Sequence, residues 1–200
     1  MKRLSPILIL VLMSACSGRG DPETSSQAWR INTTSGAVTA EVAKNVAFWS
    51  DIPYAQAPVG ELRWRAPKAL NTPLNEVSLR DNVACLQIAW DGGGVPGDGV
   101  VGTEDCLYLD ITTPVSSSAA KPLPVMFWIH GGGNTSGFKG YYDFSTLVES
   151  QQVIVVAINY RLGPFGWFSH PVVQKQAEGL DRSSNFGTLD IIQALSWVQQ

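Results

Sequence analysis

His130-Gly131-Gly132-Gly133 is the stretch of this chain best able to do chemistry without a reactive side chain. It lies in "WIHGGGNTSG", Trp128 to Gly137, directly after an apolar run. Glycine reaches positive φ at no steric cost, so successive N–H groups can turn toward one point. Paired donors of that kind suit a phosphate, or the oxygen that becomes negative when an acyl carbonyl is attacked. The phosphate readings fail on spacing. Gly132 and Gly137 match the two glycines of G-x-x-x-x-G-K-[ST], but Phe138 stands where lysine is required. Counted from Gly131, a dinucleotide G-x-G-x-x-G would end on Ser136. A slack loop and an oxyanion donor pair remain. The position after a buried strand favours the donors, because α/β folds place their sites at the carboxyl ends of strands.

The elements around the glycines must hold them there. Val125–Ile129 and residues 153–158 are continuous apolar runs. Runs without alternation predict strands buried on both faces, as in a largely parallel sheet. Residues 144–150 predict a short crossover helix between them, giving a β-α-β unit. Residues 107–112 predict a further strand. Earlier, residues 29–32, 37–42 and 45–49 carry short alternating or β-branched patterns, with a turn at Ser35-Gly36. They predict an N-terminal antiparallel meander. Residues 53–67 are too proline-rich for a helix or an interior strand and read as an extended wrapping segment. Residues 91–102 hold six glycines and one proline and read as a surface loop. Near the end, Ser183, Ser184 or Asn185 can cap a helix whose Phe186, Leu189, Ile192, Leu195 and Val198 form one apolar face. His170, beside Pro171, reads as a loop residue. The class is α/β with a mixed sheet.

Composition narrows the function classes. The chain has 200 residues, 44% hydrophobic and 16% charged, which is globular and excludes disorder. A net charge of −3, with Lys and Arg scattered, leaves no footprint for nucleic acid. Lys2 and Arg3 precede the apolar residues 7–13, a segment too short to span a bilayer, so residues 1–16 read as an export signal. "LMSAC" resembles the lipobox of bacterial lipoproteins, which would make Cys16 the lipidated N-terminus. Ser17, with no Asp there, suits an outer-membrane anchor facing the periplasm or surface. An ordinary signal peptide and a secreted protein are the alternative. Residues 17–27 then form a tether and residues 28–200 the folded domain. Cys85 and Cys106 remain. In an oxidising compartment they read as a disulfide, which would contribute about 3 kcal/mol by constraining the unfolded chain. Two unpaired buried thiols are the other possibility.

Five ordered blocks carry a family resemblance: "FWSDIPYAQAPVGELRWRAP", "EDCLYLDITTP", "HGGG", "INYRLGPFGWF" and "NFGTLDIIQALSWV". The chain resembles the N-terminal portion of type-B carboxylesterases, the cholinesterase-like α/β-hydrolases. The resemblance implies a carboxylic ester hydrolase that works through a serine acyl-enzyme, with no metal and no cofactor. It implies oxyanion-hole N–H donors at Gly132 and Gly133, with a third donor following the nucleophilic serine. His130 and Gly131 would then border the substrate, and His130 would not be the catalytic base. A disulfide Cys85–Cys106 and buried structural ion pairs Arg63–Glu104 and Arg161–Asp190 also follow. Asp110 stands where the family commonly has Asn.

The family's nucleophile sits in a G-x-S-x-G elbow. No serine here has glycine two positions before and two after, and neither of the two histidines occupies the base position. Residues 1–200 therefore read as a fragment ending just before the elbow. It would be inactive alone, with a parallel strand edge and an apolar helix face uncovered. Two other readings stand beside the esterase: a non-catalytic, cholinesterase-like binding or adhesion module, and a lipoprotein scaffold with no site. The scaffold leaves the glycine triple unexplained.

Overall fold

Two hairpins start the fold. β1 (Arg30–Thr33) and β2 (Gly36–Thr39) pair antiparallel. Their turn is closed by the Thr33 hydroxyl, which donates to Gly36 O (2.8 Å) and accepts from Ser35 N–H (3.1 Å). β3 (Glu41–Ala43) and β4 (Val46–Pro53) form the second hairpin. A computed structural model describes residues 29–77, 83–92, 94–116 and 121–200. The expected signal segment 1–16, Cys16 and the tether 17–27 lie outside the described residues.

The expected meander does not run through one sheet. β2 uses its free edge to pair parallel with β5 (Leu74–Glu76), so β3 cannot pair there. The chain passes to the main sheet at Ala40, whose N–H donates to Trp29 O (3.0 Å). β6 (Gln87–Ile88) and β7 (Val100–Val101) form a separate two-stranded ribbon inside the disulfide loop. β7 therefore gives the glycine-rich loop a strand at its end that composition did not suggest.

The main sheet has the order β3-β4-β8-β10-β9, with β8 (Tyr108–Pro114), β9 (Val125–Ile129) and β10 (Ile154–Ile158). Helix α1 (Ser145–Gln151) joins β9 to β10, and these two strands run parallel in the register Ile129↔Ile158. The predicted β-α-β unit is present. The sheet is mixed, as expected: the two apolar runs pair parallel, whereas β3–β4, β4–β8 and β8–β10 are antiparallel.

Alternation along the strands sorts their side chains into two cores. Val46 and Val155 pack with Val148 of α1 on one face. Ala47, Ile52, Leu109, Val156 and Ile158 pack on the other, with Ala194 of α4 (Phe186–Val198), which follows the short helices α2 (Gly163–Gly166) and α3 (Pro171–Lys175). β10 is buried on both faces, as its apolar run predicts. β9 is not. It is the outer strand among the described residues, and Val125, Met126 and Ile129 are 49, 48 and 43% exposed. An apolar run reports burial only where both a neighbour strand and a covering layer are present.

Helix α4 also departs from its predicted pattern. Its buried positions are Phe186, Gly187, Asp190 and Ala194, while Ile192 and Leu195 face outward. A three-residue step falls about 60° short of each helical turn, so a strict i+3 stripe winds off the buried face. Asn185 occupies the cap position without a side-chain cap bond; instead the Ser183 hydroxyl accepts from Asn185 N–H (3.2 Å).

A buried charge cluster pins the sheet to the segment after the glycines. Lys139 Nζ lies 2.8 Å from a carboxylate oxygen of Asp51 and 2.8 Å from one of Asp110. Asp51 sits at the register shift of β4 with φ +57°, and its N–H donates to Asp110 Oδ1 (2.9 Å). Burial pushes the Asp110 carboxyl up, against the opposing pull of the Lys139 ammonium.

Candidate active site

The glycine turn begins where β9 ends. Gly132, Gly133 and Asn134 have φ of +110°, +60° and +61°, three successive left-handed residues. The Gly132 carbonyl accepts from Thr135 N–H (3.1 Å) and Ser136 N–H (3.2 Å), which folds the turn back on itself. A Cβ at Gly132 would collide with the Ser136 carbonyl, so only glycine fits. At Gly133 there is open space, and the demand is conformational alone. Among the described residues, nothing accepts a hydrogen bond from the N–H of Gly132 or of Gly133. They are donors held in place without an internal acceptor.

His130 is a wedge beside them. Its ring stacks on Tyr160 with centroids 4.4 Å apart, and the Tyr160 hydroxyl donates to His130 O (2.9 Å). Nδ1 lies 2.9 Å from Gly131 O, so the proton is on Nδ1. Nε2 is buried with no hydrogen-bond partner among the described residues. Burial lowers the imidazole pKa, which keeps the ring neutral at pH 7. The residue is placed as a packing element with no carboxylate partner to make it a base. A cleft of about 230 Å³ opens here, lined by Gly132, His130, Trp90, Trp128, Tyr141 and Tyr142. Among the described residues no cluster of three His, Cys, Asp or Glu side chains is placed to hold a metal.

The other expected residues surround this turn. Cys85 and Cys106 form a disulfide. Arg161 and Asp190 form a buried bidentate pair: Nε donates to Oδ2 (2.8 Å), Nη2 to Oδ1 (2.7 Å), and the Arg161 N–H to Oδ2 (3.0 Å). Burial raises the Asp190 carboxyl pKa, and the Arg161 guanidinium opposes that rise. Arg63 and Glu104 are also bidentate, at 2.5 Å for both bonds, but the Arg63 side chain is 41% exposed. The expectation of a buried pair is corrected there: the arginine sits in the wrapping segment, on the surface. Arg63, Glu104, Arg161 and the disulfide border one small cavity. His170 lies in a loop, as expected, and there its Nδ1 accepts from Val172 N–H (3.2 Å) and caps α3 (Pro171–Lys175).

The profile of the carboxylesterase family matches residues 27–200. The chain belongs to the carboxylesterase family. Among relatives, fumonisin B1 esterase of Sphingopyxis macrogoltabida is 40% identical over 84% of this chain and 31% of its own length. Human cocaine esterase is 35% identical over 99% of this chain and 36% of its own. Among solved structures, a PNB esterase superposes with a TM-score of 0.70 at 34% identity, covering 85% of this chain and 34% of that one. A carboxylesterase of Geobacillus stearothermophilus gives 0.69 at 32% identity, with 86% and 34% covered. The fold is that of the α/β-hydrolase carboxylesterases, and the chain spans about a third of the length of these relatives.

Three residues around this turn do not stand out in the sequence. Gln87 bonds Gly137, Tyr160 stacks on His130, and Lys139, just after the turn, ties the segment to Asn159. The available signals were Gln87 two residues after a disulfide cysteine and Lys139 two residues after the last glycine of the turn.

The two ion pairs differ in burial, and so in expected effect. Arg161→Ala leaves Asp190 buried and unpaired and is expected to lower unfolding free energy by about 3–5 kcal/mol. Arg63→Ala is expected to behave as a surface substitution. Urea denaturation of both variants checks this, and equal losses would refute the distinction.

Proposed function

We propose that this chain supplies the oxyanion-binding part of a carboxylic ester hydrolase acting through a serine acyl-enzyme. The single observation that carries the reading is the pair of N–H groups at Gly132 and Gly133. Among the described residues they lack acceptors, they follow the carboxyl end of a parallel strand, and Gly132 borders an aromatic-lined cleft. In that chemistry a serine Oγ bonds to the ester carbonyl carbon while its proton passes to a base. The carbonyl π electrons move onto oxygen, which the two N–H groups then hold. Collapse expels the alcohol with a proton, and water releases the acid by the same steps. Each oxyanion donor typically contributes about 3 kcal/mol in the transition state. The relatives' names, among them cocaine esterase and fumonisin B1 esterase, support ester bonds as the class and agree on no one substrate. The serine, acid and base are assigned to residues outside these 200, which hold no G-x-S-x-G.

Purified residues 1–200 are expected to release no burst of p-nitrophenol from p-nitrophenyl acetate. The complete gene product is expected to do so and to be labelled by a fluorophosphonate. A burst from residues 1–200 would overturn the division of roles. A complete product that resists the probe would favour the non-catalytic binding module. In an active product, Gly132→Ala is expected to lower kcat by roughly 10²–10³, the scale of one lost oxyanion donor. Gly133→Ala, which meets no neighbouring atom, is expected to cost less. Export and lipidation at Cys16 belong to the same proposal; fatty-acid labelling retained in Cys16→Ser would remove them.

A further inference from the structure

We propose that Gln87 is a positioning residue for the oxyanion donors, its side-chain amide clamping the backbone of Gly137 and so closing the 131–137 turn. The inference rests on the ester-hydrolase reading above and adds a residue to its machinery.

Gln87 is 5% exposed. Its Oε1 accepts from Gly137 N–H (2.8 Å), and its Nε2 donates to Gly137 O (2.9 Å). The side-chain amide thus serves Gly137 as a neighbouring strand would, one donor and one acceptor at the spacing of a peptide group. Among the described residues, Gln87 is the hydrogen-bond partner of both Gly137 backbone groups, and no other is present.

Gly137 in turn fixes the start of the turn. It has φ +113°, and a Cβ there would strike the His130 ring and the Gly131 carbonyl. The two ends of the turn are therefore in direct contact, with Gly132 and Gly133 between them. A shift of Gly137 is transmitted to Gly131 by packing, with no slack to absorb it. Gln87 is itself held. Nε2 also donates to Cys85 O (3.0 Å), Cys85 is bonded to Cys106, and Gln87 pairs with Val101 in the ribbon. The disulfide loop is thereby connected to the glycine turn through one amide. Oxyanion donors contribute only when placed within a fraction of an ångström of the developing charge, so loss of this clamp falls on the transition state and not on substrate binding.

Gln87→Met keeps length and volume and removes all three side-chain hydrogen bonds, two to Gly137 and one to Cys85. In the complete gene product it is expected to lower kcat roughly 10- to 100-fold with KM nearly unchanged. A trifluoromethyl ketone, which forms a tetrahedral oxyanion adduct, is expected to bind more weakly by the factor lost in kcat/KM. An ester isostere that forms no adduct should bind as before. Hydrogen exchange of the 131–137 peptide should accelerate. If the Met variant does not fold, Gln87→Asn, one methylene short of the same amide, is read in the same way. A wild-type kcat, or a lowered kcat with unchanged trifluoromethyl ketone affinity, overturns the proposal. Should the wild-type product hydrolyse no ester, the ester-hydrolase reading fails and exchange decides the clamp alone. Unchanged protection of 131–137 then overturns it, and faster exchange upholds it.

Discussion

The buried pair of Arg161 and Asp190 is the constraint on which the rest of this structure depends. Arg161 follows β10, and Asp190 faces it from the first turns of α4, so the pair sets helix against sheet at the strands' carboxyl end. Everything near it is close-packed. A Cβ at Gly166 or at Gly187 would strike the Arg161 carbonyl, and the guanidinium lies 5.4 Å from the Phe186 ring centre. Burying two charges is costly unless geometry and extra hydrogen bonds compensate. Here Asp190 accepts three bonds, two from the guanidinium and one from the backbone of the same residue. Two residues on, Gly163 N–H donates to Asn134 O (2.7 Å). The pair that orients α4 therefore also anchors the glycine turn.

That turn has several separate attachments, each of a different kind. Asn134 is held by Gly163, His130 by stacking and a hydrogen bond from Tyr160, and Gly137 by the Gln87 amide. Lys139 adds a fourth just beyond it: its N–H donates to Asn159 Oδ1 (2.8 Å) and its ammonium meets Asp51 and Asp110. Gly132 and Gly133 take positive φ without steric cost, but Asn134 at φ +61° is not glycine and carries the strain of the turn. Such a conformation persists only where its surroundings over-determine it. The attachments meet that condition and, among the described residues, leave the two donor N–H groups without an acceptor.

Much of this was legible in the sequence, for identifiable reasons. The β-α-β unit, the α/β class and the glycine turn at the end of β9 follow from apolar runs and from what glycine permits. The disulfide follows from two remaining cysteines in an exported chain, whereas the ion pairs come only through the ordered motifs, because charge pairing cannot be read from residue types alone. What failed did so on geometry between elements. The N-terminal hairpins separate because β5, forty residues away, takes the edge of β2. β9 and β10 look alike as sequence, but only β10 has strands on both sides among the described residues. The helix stripe in α4 was read at a three-residue step, whereas the packed face follows 3.6. For Gln87 and Lys139 the sequence offers only nearness to a disulfide cysteine and to the last glycine of the turn, which does not say what backbone or charge each will meet.

Nε2 of His130, beside the turn, and Nη1 of Arg161 are buried with no hydrogen-bond partner among the described residues. An unsatisfied buried polar group usually costs about 1–3 kcal/mol, and most domains hold few of them. The N–H groups of Gly132 and Gly133 differ: Gly132 is half-buried and Gly133 exposed, and among the described residues nothing accepts from either. That suits preorganised binding, since a donor already bonded inside the protein cannot hold a substrate oxygen. The surrounding contacts offset that cost: a bidentate buried ion pair, a three-member charge cluster, a disulfide and a stacked His–Tyr pair. All of them arise from residues between Asp51 and Asp190. The proposed oxyanion donors are therefore positioned by local structure that needs no nucleophile to form. A serine supplied from elsewhere in the polypeptide would meet donors already in place, and no reorganisation of the turn would be charged against the chemical step.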